Sequence, residues 1–149
     1  MLPEGPLPGD NWPVPPGGWP PAVWQVPYEP QAVPGCEEPS SWLKGADCQR
    51  YAYGVLSLFG LFCPPLRSSE LWADTSATTL ADQPAPLDLA LFNATNDPFG
   101  AHVGLWMGRS TLLHLCREVG RPTAWSFGAF KQRPRYATLI GFKRVGPMT

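Results

Sequence analysis

The apolar pattern of this chain changes period near residue 86, and that change restricts the possible folds more than any other feature. Before it, GADCQRYAYGVLSLFGLF (45–62) carries Val55, Leu58, Phe59 and Phe62 at spacings of three and four. That spacing predicts a helix with one buried face, ended by Pro64-Pro65. Ser68 or Ser69 is placed to cap a short helix through SELWADT, and a polar stretch then runs to Gln83. After Pro84 and Pro86 the candidates are strands: LDLALFN (87–93), AHVGLWMG (101–108), TLLHLCR (111–117) and YATLIGFKRV (136–145). NATNDPFG (93–100) reads as a turn-rich connection and SFGAFKQ (126–132) as a helical turn. A helix followed by strands with hairpin-length links predicts an α+β domain, its helix packed on one face of an antiparallel sheet.

Residues 1–34 contain eleven of the chain's 20 prolines, together with Trp12, Trp19, Trp24 and Tyr28. Proline at this density removes backbone donors and fixes φ, so this arm is expected to be extended or polyproline-like. Large aromatics are poorly used in a solvated linker, which favours an arm packed along the domain that follows it, residues 35–149. No basic residue flanks the prolines as an SH3-type ligand would require. At 149 residues the chain fits one domain with a core of ordinary size.

The formal net charge is −1 with no block of like charge, which argues against partners recognised through phosphate, such as nucleic acid or anionic lipid. No run of about eighteen apolar residues is present, so membrane insertion is not expected. MLPEGPLPGDNWPVPP has neither a basic nor an apolar region of the secretory type. A cytoplasmic location, or export by a non-classical route, is the expectation. Cysteines 36, 48, 63 and 116 form no CxxC pair, and with only two histidines a closed zinc site would consume nearly all candidate ligands. No metal or cofactor is expected, and the thiols are expected to be reduced.

Asp47 occupies the position of an N-cap, which puts Cys48 in the first turn of the predicted helix. Free N–H groups and the positive end of the helix dipole favour a thiolate there, with a pKa below the usual ~8.5. The plain alternative is a small buried hydrophobe. His102 and His114 flank Gly108 symmetrically. An odd-numbered hairpin loop centred on Gly108 would make them direct cross-strand neighbours, with Cβ atoms ~5 Å apart. Val103, Leu105 and Met107 would then face the opposite, buried side, and Gly104 would leave room beside His102. A cysteine at a helix terminus with two histidines on a sheet is the set of groups a thiol acyl-transfer enzyme needs; the alternative is that both rings fill half-buried sheet positions.

Asp47-Cys48, LDLALF (87–92), HVGLWMG (102–108), LLHL (112–115) and the closing FKRV (142–145) together resemble the NlpC/P60 family of papain-like cysteine peptidases, over about residues 35–146. The resemblance implies that Cys48 is the nucleophile, His102 the general base and His114 the residue that orients it. Backbone N–H groups at the start of the Cys48 helix would hold the oxyanion. The family commonly hydrolyses γ-D-glutamyl to diamino-acid amide bonds in bacterial cell-wall peptides. Asp47, Gln49, Arg50 and Trp42 are the candidate substrate-binding residues, and Trp12, Trp19, Trp24 or Tyr28 are expected near the cleft. A peptide or peptidoglycan fragment is the expected partner, and the chain is expected to be a monomer. Two alternatives stay open: acyl transfer onto an amine on another peptide substrate, and an idle assembly or binding module of a phage-tail-like or secretion system.

Overall fold

The computed structural model describes residues 12–146; the reading of residues 1–11 as part of an extended arm lies outside them. Helix α1 (Cys48–Ser57) and helix α2 (Ser68–Ala73) precede six strands: β1 (Thr78–Ala81), β2 (Leu89–Asn93), β3 (His102–Gly108), β4 (Thr111–Leu115), β5 (Pro122–Ser126) and β6 (Thr138–Val145). The strands form one antiparallel sheet in the order β1-β6-β2-β3-β4-β5. Helix α3 (Phe127–Lys131) and a 3-10 turn (Pro134–Tyr136) lie between β5 and β6. This is the expected α+β architecture.

Asp47 caps α1, its carboxylate accepting the Arg50 N–H at 2.8 Å. The helix stops at Ser57, earlier than the apolar pattern and well before Pro64-Pro65. Gly60, at φ 76°, closes it: the Leu61 N–H returns to Leu56 O and the Gly60 N–H to Ser57 O. The buried face is therefore Tyr51, Ala52, Val55 and Leu56, while Leu58 and Phe59 are only partly covered and Phe62 is 54% exposed. Helix α2 is closed by Glu70, which accepts the Arg67 N–H, and Ser68 instead turns its hydroxyl to the Ala101 N–H at 3.2 Å.

Both faces of the sheet are covered, so β2 shows an unbroken buried run rather than an alternation. Leu89, Leu91, Val103, Leu105, Met107, Leu113 and Leu115 pack with α1. Ala90, Phe92, Leu112 and Phe142 face the other way, against Phe130 of α3 and Tyr136. At the mouth of β2, the buried Asp88 carboxylate takes Arg144 through two bonds of 2.9 and 2.8 Å.

Two strands escaped the sequence reading. The polar stretch before Gln83 contains β1, an edge strand in which Thr78 alone is buried, so it carries no apolar alternation. On the other edge, β5 begins with Pro122, a residue tolerated at the first position of an edge strand. Tyr136, expected at the start of the last strand, sits in the 3-10 turn before it.

The β3–β4 register also differs from the expected one. Arg109 and Ser110 form a two-residue turn with φ of 54° and 56°, preceded by a bulge at Gly108. Leu105 therefore pairs with Leu113 and Trp106 with Leu112, a shift of two positions that places Gly104 opposite His114. Because side chains alternate with period two, the shift leaves both histidines on the same face and makes them diagonal neighbours.

The described part of the arm is integrated into the domain. Val23 and Val26 are fully buried and Ala32 nearly so. Tyr51 donates its hydroxyl to Val23 O at 3.1 Å, and Tyr28 bridges Ala46. Trp19 packs on Trp24 and Phe59, at the far end of α1 from Cys48.

Candidate active site

The N-terminus of α1 meets the start of β3. Backbone N–H groups of Gln49 and Val103 point at the Cys48 sulfur, which puts the thiol beside the residue that follows His102. Cys48 also bears on Tyr136, whose ring stacks on His102 with centroids 4.5 Å apart. His102 Nε2 and His114 Nδ1 are 2.8 Å apart and hydrogen bonded. A Cβ at Gly104 would lie 3.4 Å from the Cβ of His114, so the room expected beside His102 is bordered by the other histidine.

The electrostatics run against the expected low-pKa thiolate. Burial pushes the Cys48 thiol up to about 12, and the Asp47 carboxylate adds to it against the pull of the two N–H groups. Burial pushes His102 down to about 3, helped by the Arg135 cation. His114 is held well below its ordinary value by burial, with His102 and Arg133 adding to the effect. At neutral pH the Cys48 thiol and both imidazoles are therefore uncharged. Such neutral groups are not a preformed thiolate–imidazolium ion pair.

Cys48 opens into a cleft of about 330 Å³ lined by Tyr28, Asp47, Gln49, Arg67, Ser68 and Phe99, among others. Of the candidate substrate-binding residues, Asp47 and Gln49 line this cleft and Arg50 and Trp42 do not. Gln49 is buried, its Nε2 donating to Tyr53 Oη and Leu66 O, so it braces the strand of chain that carries Arg67. Arg50 turns back to Gly45 O and Pro39 O. Trp42 lies under Gly54 and edge-on to Tyr51, and with Arg50 it lines a separate recess of about 470 Å³ on the other side of α1. From the arm, Tyr28 reaches the cleft, whereas Trp19 and Trp24 do not line it.

Arg67, Ser68 and Phe99 were missed as site residues. Arg67 stands just before the short helix α2, and only the fold shows that α2 begins at the cleft wall. Phe99 is 75% exposed and sits in a loop shaped by Asn93 Nδ2, which donates to Asp97 O and Phe99 O. Its one legible signal was an apolar aromatic within a turn-rich segment.

No protein-family model matches the chain, and no curated protein does either. Solved structures do. NlpC1 from Trichomonas vaginalis superposes with a TM-score of 0.57 at 15% identity, covering 83% of this chain and 42% of that one. The P60 domain of a M. avium subspecies paratuberculosis antigen gives 0.53 at 17% identity, covering 83% of this chain and 86% of that domain. This chain has the NlpC/P60 fold. An NLP/P60-family protein similar to lipoprotein from Staphylococcus aureus gives 0.53 at 20% identity, over 85% of this chain and 38% of that one. The chain thus spans less than half the length of the NlpC1 structure and nearly the whole of the isolated P60 domain. The papain-like architecture read from the ordered motifs is the architecture found.

Proposed function

We propose that this NlpC/P60 fold is a thiol hydrolase that cleaves amide bonds in peptides, with γ-D-glutamyl to diamino-acid bonds of bacterial cell-wall peptides as its preferred substrates. The observation that carries the reading is a hydrogen-bonded His102–His114 pair on the sheet together with a helix-terminal Cys48 that opens into a cleft and takes the N–H of Val103, the residue after His102. Cys48 attacks the carbonyl as His102 takes its proton, backbone N–H groups at the tip of α1 hold the oxyanion, and His102 returns the proton to the leaving amine. Water then resolves the thioester with His102 again as base. His114 holds the His102 ring in place through its Nδ1.

The cleft chemistry suits such a peptide. Arg67 offers a cation to a substrate carboxylate, and Asp47 an anion to a free amine, within one cavity. A panel of γ-D-glutamyl and ordinary α-linked peptides, incubated with the chain and read by mass, tests the proposal. Cleavage of the γ-linked members with loss of turnover in Cys48→Ala supports it. An intact panel overturns it and favours the idle assembly module; cleavage unchanged in Cys48→Ala overturns it by showing that another group does the chemistry.

A further inference from the structure

Among the described residues, His114 Nε2 is the buried side-chain polar atom without a hydrogen-bond partner. At neutral pH the ring is uncharged, so that nitrogen presents either an N–H or a bare lone pair. Aromatic rings pack against the His114 ring. Trp125 lies with its centroid 4.4 Å from that of His114 at an interplanar angle of 65°, and Phe130 lies at 4.5 Å and 52°. The Arg133 guanidinium packs over the Trp125 ring at 3.7 Å and is itself held by Glu118 through bonds of 2.9 and 3.0 Å. The face of an aromatic ring carries negative potential, so it attracts an N–H and repels a lone pair.

We propose that Trp125, clamped by Arg133 and Glu118, is a positioning residue that holds His114 as its Nε2–H tautomer and so sets the direction of the histidine proton chain. The consequence follows atom by atom. With its proton on Nε2, His114 has a bare Nδ1, and the 2.8 Å bond must be donated by His102 Nε2–H. His102 Nδ1 is then the unprotonated nitrogen, the one that can accept the Cys48 proton. In the opposite tautomer His114 would donate to His102 Nε2, leaving His102 Nδ1 protonated and unable to act as base. The catalytic consequence rests on the proposed hydrolase; the tautomer does not.

Imidazole nitrogen shifts of the ¹⁵N-labelled full chain at neutral pH read the tautomers directly. The expected spectrum has protonated Nε2 and bare Nδ1 on both histidines; an Nδ1–H tautomer of His114, or a mixture, overturns the proposal, and this needs no variant. Trp125→Phe, which keeps a ring face, should retain the pattern. Trp125→Leu should give mixed tautomers and lower kcat on a cleavable peptide by about tenfold or more with KM nearly unchanged; an unaltered tautomer pattern in Trp125→Leu overturns the role of Trp125. A wild-type chain with the expected tautomers that cleaves no peptide overturns the hydrolase reading alone and leaves this inference supported.

Discussion

Cys48 is pulled down by two N–H groups and pushed up further by burial and Asp47, and the net result has a direct readout. With its thiol raised to about 12, alkylation of Cys48 by a small neutral reagent should speed up about tenfold per pH unit from pH 7 to 10. A rate that levels off below pH 7 would show the low-pKa thiolate that the helix terminus alone suggests. Cys48 and His102 also shape the stability curve. His102 titrates at about 3 in the folded chain and near 6.5 unfolded, so between those values the unfolded state binds more protons. Stability should fall as pH drops from about 6.5 toward 3, and His102→Gln should flatten that slope. Above pH 9 the sign reverses, because the unfolded Cys48 thiol ionises before the folded one. Chemical denaturation across the pH range checks both limbs.

At the scale of elements, α1 depends on a contact that helix propensity would miss. Replacing a helical glycine with alanine ordinarily stabilises by about 1 kcal/mol. A Cβ at Gly54 would lie 2.1 Å from the Trp42 ring, so the ring or the helix must move. Overpacking of this kind costs ~1–3 kcal/mol, so Gly54→Ala should lower rather than raise the melting temperature. Sequence periodicity made α1, β2, β3, β4 and β6 legible because each carries a covered apolar face. It failed for β1 and β5, edge strands whose residues are mostly half-exposed. It overran α1, because the apolar residues continue past the glycine that ends the helix. The histidine pair could be placed on one face from parity alone, but the turn residues Arg109 and Ser110, neither of them the usual glycine or asparagine, concealed the register. Arg67 and Phe99 were illegible for a related reason: long-range packing brings them to the cleft, and no local pattern announces it.

For the molecule as a whole, the proline-rich arm supplies both core and cleft. Val23 and Val26 are fully buried, worth about 1.5–3 kcal/mol each, and Tyr28 lines the cavity at Cys48. Deleting residues 1–34 should therefore lower the melting temperature by roughly 6–24 °C, by the scaling of about 2–4 °C per kcal/mol for a chain of this size. A truncated chain that melts with the full one would mean these contacts contribute nothing. In the proposed mechanism Cys48, served by His102 and His114, opens an amide bond through a covalent intermediate. Intact-mass analysis during turnover of a γ-D-glutamyl-diamino-acid peptide, followed by peptide mapping, measures that step. The expected result is a transient adduct of the acyl mass on Cys48, absent in Cys48→Ala. An adduct on Cys36, Cys63 or Cys116, or product formed while Cys48→Ala turns over equally fast, would contradict it.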